Sequence, residues 1–192
     1  MDKEYWNIRY ASGCNYDTMV GWSKETVEDE TKILWEAMRS FWGSGQIWEK
    51  VMDFGCGCGR FFPYFAELGT VYVGTDILDE LIDDNQTKYP KAYFDYMDSY
   101  KEWDLTNLVF IFTVFQYFTD EEANHYLKVE FKNAEDIFIC ESLANEGVVL
   151  RPHEHNRQPK NIKIIAENCG WKIHKEVIFN SRERYYFLWL KK

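Results

Sequence analysis

The sequence predicts an α/β fold: a three-layer sandwich of helices around a mostly parallel seven-stranded sheet, with the last strand antiparallel. Three observations predict it. Short apolar runs alternate with amphipathic helical stretches along most of the chain, as in a parallel sheet covered on both faces. Residues 51–60, VMDFGCGCGR, lead from a buried strand through glycines at 55, 57 and 59 toward an aromatic helix. The two final strand-like runs, 171–180 and 184–191, are joined only by Ser181-Arg182-Glu183, and so short a connection forces an antiparallel hairpin.

The elements follow in order. Residues 1–25 read as a lead-in that sets Tyr5, Trp6, Tyr10 and Trp22 among polar residues. Residues 26–42 form a helix with Ile33, Leu34, Ala37, Met38 and Phe41 on one face, ended by Gly43 and Gly45. The first strand spans 47–54. The helix after the glycines carries Phe61, Phe62, Tyr64, Phe65 and Leu68, with Pro63 in its first turn and Gly69 at its end. A strand over 70–75, TVYVGT, leads into Asp76, and a helix over 79–88 stops before Pro90. Strands follow at 92–96 and 104–112, the second ending in LVFIF, the composition of a central strand. Thr119-Asp120-Glu121-Glu122 is a capping box opening a helix to about 131. A strand at 136–141, an irregular stretch over 142–158 and a helix from Pro159 to 168, capped by Gly170, precede the hairpin.

Composition narrows the function. A chain of 192 residues, 18% of them aromatic, fits one domain spanning 1–192 with a substantial core. No apolar run is long enough to cross a membrane, and MDKEYWNIRY lacks a signal-peptide pattern. Five cysteines, an odd number, read as reduced thiols in the cytoplasm. A net charge of −10 suits neither a DNA nor an RNA backbone. Residues 151–192 run against that balance, with ten Lys or Arg against four Asp or Glu.

Glycines this dense let a ligand lie against the main chain, and three ligands compete. A dinucleotide turn needs a small sixth residue, and Arg60 stands there. A phosphate-binding P-loop needs a Gly-Lys pair, which the chain lacks. What remains is an acid followed by G-x-G-x-G, here Asp53 and Gly55, Gly57 and Gly59. This resembles motif I of the class I, Rossmann-like S-adenosylmethionine (SAM)-dependent methyltransferases. The closing hairpin agrees, since in that family the seventh strand inserts antiparallel beside the fifth.

The resemblance implies a SAM site, with S-adenosylhomocysteine (SAH) as product. Asp76, which ends the second strand, matches the acid that accepts from the ribose hydroxyls. Asp98 fits the acid near the adenine, with Asp95 competing for that place. The implied cofactor contacts are Asp53, Gly55, Cys56, Gly57, Gly59, Asp76, Ile77, Met97, Asp98 and Thr113. Residues 1–25 resemble the family's N-terminal cap and 26–192 its core, so Trp6, Arg9, Tyr10, Gln116, Tyr117 and His153 are the implied substrate contacts. The post-strand loop at 113–118 lacks the Pro-Pro of the nucleic acid base methyltransferases.

Methyl transfer asks for alignment, exclusion of water and, for a protonated nucleophile, a base. Candidates for that base are His153, His155 and Tyr117, then Glu141. Cys56-x-Cys58 lacks the second pair that a zinc site needs, and no metal is expected. The expected partner is a small-molecule acceptor, with a protein acceptor or a non-catalytic SAM-binding regulatory module as alternatives. A nucleotide-dependent oxidoreductase also stays open, and so does the choice between monomer and homodimer.

Overall fold

The computed structural model describes residues 3–11, 23–97, 106–143 and 158–192. In chain order the elements are α1 (Lys3–Ala11), α2 (Lys24–Trp42), β1 (Lys50–Phe54), α3 (Phe62–Glu67), β2 (Val71–Asp76), α4 (Asp79–Lys88), β3 (Tyr93–Tyr96), β4 (Leu108–Phe112), α5 (Asp120–His125), β5 (Asp136–Leu143), α6 (Pro159–Asn168), β6 (Lys172–Asn180) and β7 (Arg184–Lys191). A single turn of 3₁₀ helix, Phe115–Tyr117, follows β4.

One seven-stranded sheet has the order β3-β2-β1-β4-β5-β7-β6. β1 through β5 pair in parallel. β7 is antiparallel to both β5 and β6, so it alone runs against the sheet. The chain runs outward from β1 to β3, then crosses to lay β4 on the other side of β1. That reversal opens a crevice at the C-terminal ends of β1 and β4, the place where open α/β sheets hold ligands.

Each face of the sheet buries its own core. On one, Leu34, Trp35, Met38 and Trp42 of α2 and Phe65 of α3 meet Phe110 and Phe138. On the other, Ala123 of α5 and Ile162, Ile165 and Ala166 of α6 meet Val109, Ile111 and Ile139. All five residues of β4 are buried, as two covered faces require.

Several boundaries move from those the sequence suggests. β1 begins at Lys50, not 47, because Ile47 is left outside the ladder and exposed, while Trp48 is buried and donates its indole N–H to Asp136 at 2.8 Å. α2 starts two residues early because Ser23 caps it through Thr26 N–H. The Thr119–Glu122 capping box forms, but the α-helix it opens stops at His125. The chain continues as a π-helical turn, Tyr126–Glu130, which closes with Phe131 N–H on Tyr126 O at 2.8 Å. β5 continues through Ser142 and Leu143, which pair with Tyr185 and Arg184, so these two residues belong to the strand and not to an irregular stretch.

Candidate cofactor and acceptor site

The glycine turn after β1 is tied to β2. Gly55 and Cys56 N–H both donate to Thr75 O, at 2.8 and 2.9 Å. The first two glycines then do different work. Gly55 has φ +72°, and a Cβ there would lie 2.4 Å from Val114 Cγ2, so this glycine lets the loops after β1 and β4 touch. Gly57 has φ +54°, and a Cβ there would meet nothing within 4 Å. Its bare backbone therefore faces open space.

Asp76 borders that space. Its Oδ2 accepts from Gly57 N–H at 3.0 Å and its Oδ1 from Leu78 N–H at 3.2 Å. Burial holds this carboxyl above its ordinary pKa, against the lowering effect of the Gly57, Leu78 and Ile77 N–H groups. Each oxygen keeps further lone-pair capacity, enough for two hydroxyls of a ligand. Asn85 closes the turn from below by donating to Gly57 O at 2.6 Å. Asn85 is a polar residue on the apolar face of α4, beside Leu81 and Ile82, and that position is the sequence signal that could have singled it out.

Asp53 lies beneath the turn, 1% exposed, and accepts from the Tyr72 hydroxyl at 2.6 Å. Burial raises its pKa to about 7, against the lowering effects of the Tyr72 hydrogen bond and the Arg60 charge. Tyr72 was invisible as a partner in the sequence. Only the β1–β2 register, with Asp53 opposite Gly74, puts the two side chains on one face.

Thr113, at the end of β4, has φ 54°, a conformation that a β-branched residue rarely adopts. Its N–H donates to Cys140 O at 2.7 Å. Glu141 is buried and accepts from Phe115 N–H at 2.8 Å and Gln116 N–H at 3.2 Å. The sequence suggested Glu141 as a base; the structure has both its oxygens holding the turn after β4. Gln116 Nε2 bonds back to Thr113 O at 3.3 Å.

Helix α1 lies across this end of the sheet. Trp6 meets Tyr117 edge-on with ring centroids 4.9 Å apart, Tyr10 donates to Asp84 at 2.6 Å and Lys3 pairs with Asp79 at 3.0 Å. Tyr10 thus docks on α4. Arg9 lies over the Tyr5 ring at 5.9 Å, and Trp6 reaches the post-β4 turn. Met97 N–H donates to Asp76 O at 2.9 Å, placing the end of β3 beside the same acid, with half-buried Ile77 next in the chain. Asp95, the alternative to Asp98, accepts from Tyr96 N–H at 2.8 Å. Asp98, His153 and His155 lie outside the described residues.

The magnesium protoporphyrin IX methyltransferase of Synechocystis, solved with SAH, superposes with a TM-score of 0.67 at 15% identity, over 98% of this chain and 93% of that one. This chain has the class I SAM-dependent methyltransferase fold. A SAM-dependent methyltransferase from Archaeoglobus fulgidus superposes with a TM-score of 0.65 at 17% identity, covering 92% of this chain and 98% of its own. A Pyrococcus horikoshii protein reaches 0.70 at 15% identity, covering 100% and 99%. No family profile matches the sequence, and a search of curated proteins finds no relative. The class I methyltransferase fold is therefore shared without a close sequence relative among these comparisons.

Among the described residues no helix is long and apolar enough to cross a membrane. Cys56, Cys140 and Cys169 are free thiols.

Proposed function

We propose that this protein is a SAM-dependent methyltransferase acting on a small-molecule acceptor in the cytoplasm. The observation that carries the reading is the open backbone at Gly57 beside Asp76. Gly57 offers a ligand close approach, and Asp76 offers acceptors for ribose hydroxyls. The nucleoside end would rest against Asp76, Ile77 and Met97, and the amino acid end against the glycine turn and Thr113. When bound, SAM supplies a methyl group already activated on a sulfonium.

The rest falls to the chain. The strained Thr113 and the turn pinned by Glu141 fix the wall beside the reacting end. α1, through Trp6, narrows the mouth and excludes water. Half-buried Tyr117 stands where an acceptor would enter and is the described residue best placed to take or relay a proton. An acidic surface favours a small acceptor over nucleic acid. The Synechocystis neighbour, by its name a magnesium protoporphyrin IX methyltransferase, is an example of the same fold serving a small molecule. Free thiols at Cys56, Cys140 and Cys169 suit a reducing compartment.

Calorimetric titration with SAH tests the reading, on the native protein and on Asp76→Ala. Micromolar binding that the substitution weakens by about 1–3 kcal/mol is expected, the usual cost of losing a buried acceptor. Absence of binding by native protein freed of carried-over ligand would end the methyltransferase reading.

A further inference from the structure

Arg60, the residue after the last glycine, is a partly buried cation that makes no direct ion pair among the described residues. Its guanidinium carbon lies 4.3 Å from the centre of the Phe112 ring and 5.1 Å from that of Phe61. Phe112 closes β4, and its ring has Tyr185 of β7 as a neighbour, with centroids 6.0 Å apart. The Arg60 charge is felt at the Tyr185 phenol, the Cys140 thiol, the buried Asp53 carboxyl and the Cys58 thiol. Among the described residues, Arg60 makes no ion pair and no hydrogen bond, and the Tyr185 hydroxyl makes none although its side chain is 97% buried, being 3% exposed. Neither group is among the polar atoms sealed away without a partner, so both polar ends reach solvent.

This is an odd arrangement in a chain with 32 acidic and 22 basic residues. A partly buried guanidinium usually has a carboxylate in direct contact, and acids are abundant, yet Asp53, the carboxyl that feels the Arg60 charge, makes no direct ion pair with it and is held by the Tyr72 hydroxyl. The two carboxylates whose charge reaches Tyr185 have other partners, although Glu30 Oε2 accepts no hydrogen bond among the described residues. Glu30 accepts from Ser181 and faces Arg182 at 3.8 Å, and Glu183 accepts from Ser142 at 2.8 Å. Burial keeps the Cys140 thiol protonated. The donors of Arg60 and Tyr185 are therefore reserved for something that arrives from solution.

Their chemistry says what. A guanidinium presents a planar fork of N–H donors that matches a carboxylate bidentately, and a phenol adds one more donor. Phe112 and Phe61 give a flat apolar wall beside the fork. The location separates this group from the nucleoside end. Phe112 is two strands from Asp76 across the sheet, about 10 Å at the usual strand spacing, and Tyr185 is two strands further.

We propose that Arg60 and Tyr185 receive a carboxylate carried by the methyl acceptor, an assignment that rests on the methyltransferase reading above. The class of acceptor is a small aromatic or otherwise apolar acid. The other source of such a group is the amino acid end of the cofactor itself, and the experiment separates the two.

The probes are benzoate and its neutral analogue benzamide, titrated into SAH-saturated protein, together with SAH and 5′-methylthioadenosine, which lacks the cofactor's carboxylate. Native protein should bind benzoate in the millimolar range and benzamide at least tenfold more weakly. Arg60→Met should abolish that preference and Tyr185→Phe should reduce it several-fold, with SAH affinity in both variants within twofold of native. Equal binding of the two probes by native protein, or an intact preference in Arg60→Met, overturns the proposal. A tenfold loss of SAH affinity in Arg60→Met with 5′-methylthioadenosine unaffected overturns it too, because the carboxylate would then be the cofactor's. If Arg60→Met does not fold, Tyr185→Phe decides alone: an unchanged preference refutes the assignment. Failure of native protein to bind SAH would instead remove the reading beneath it.

Discussion

Replacing Gly57 with alanine separates a ligand-contacting glycine from a merely conformational one. At φ +54° an L-residue costs about 1–2 kcal/mol relative to glycine. The added methyl meets nothing within 4 Å, so no steric term follows in the free protein. For a domain of this length, each kcal/mol shifts Tm by about 2–4 °C, so Gly57→Ala should melt about 2–8 °C below native. Its methyl would stand where the cofactor should lie, and SAH affinity should fall at least tenfold, about 1.4 kcal/mol. Gly69→Ala is the matched control. Gly69 also has positive φ, +73°, with nothing within 4 Å, but it terminates α3, away from the crevice. It should show the same loss of Tm with native affinity. Thermal melts and calorimetry on the two variants are sufficient. If Gly57→Ala binds SAH like native protein, or Gly69→Ala loses affinity equally, the open space at Gly57 is not the cofactor's place.

Other consequences can be measured directly. Asp53 titrates near pH 7 when folded and near 4 when unfolded, so the folded state holds its proton more tightly; the stabilisation is complete below about pH 4 and is lost as pH rises through 7. Asp53→Asn should remove that slope, worth up to roughly 4 kcal/mol, and urea melts at pH 5 and 8 that keep it would show the carboxyl is not the source. Glu141→Ala should cost about 1–3 kcal/mol for each of the two N–H groups it orphans, while Glu141→Gln should recover most of that; an Ala variant as stable as native in urea would contradict the bracing role. Trp6→Ala should lower hydrogen-exchange protection across α1, since the Trp6–Tyr117 contact contributes about 0.5–1.5 kcal/mol, and unchanged protection would show that other contacts seat the helix.

What was legible in the sequence was whatever neighbouring residues determine together. The LVFIF run, the capping box at Thr119 and the tight turn after Asn180 each carry their physics within a few positions, and each formed. The reversed last strand followed from the shortness of one connection. Strand starts were less legible, because a ladder begins where a partner strand begins, and Lys50 enters β1 only by pairing with Val71. The supporting shell of the crevice was not legible at all. Tyr72 reaches Asp53, Asn85 reaches Gly57 and Glu141 reaches Phe115 only once strands and helices are laid side by side. Arg60 stands in the sequence only as the residue that spoils a dinucleotide pattern; its place against the Phe112 and Phe61 rings, with no direct ion pair among the described residues, required the fold.

The place of β7 has a consequence for synthesis. It is the last strand in this sequence, yet it lies between β5 and β6 and is buried over six successive residues. A nascent chain that has emerged only as far as Asn180 has both neighbours of β7 and nothing to join them. Until the hairpin closes, β5 presents an unpaired apolar edge with Ile137, Phe138 and Ile139 along it. Translation must therefore pass all the preceding elements before the half of the sheet beyond β5 can be sealed, and a pause over residues 181–191 would expose to chaperones or to other chains an edge that the folded molecule hides.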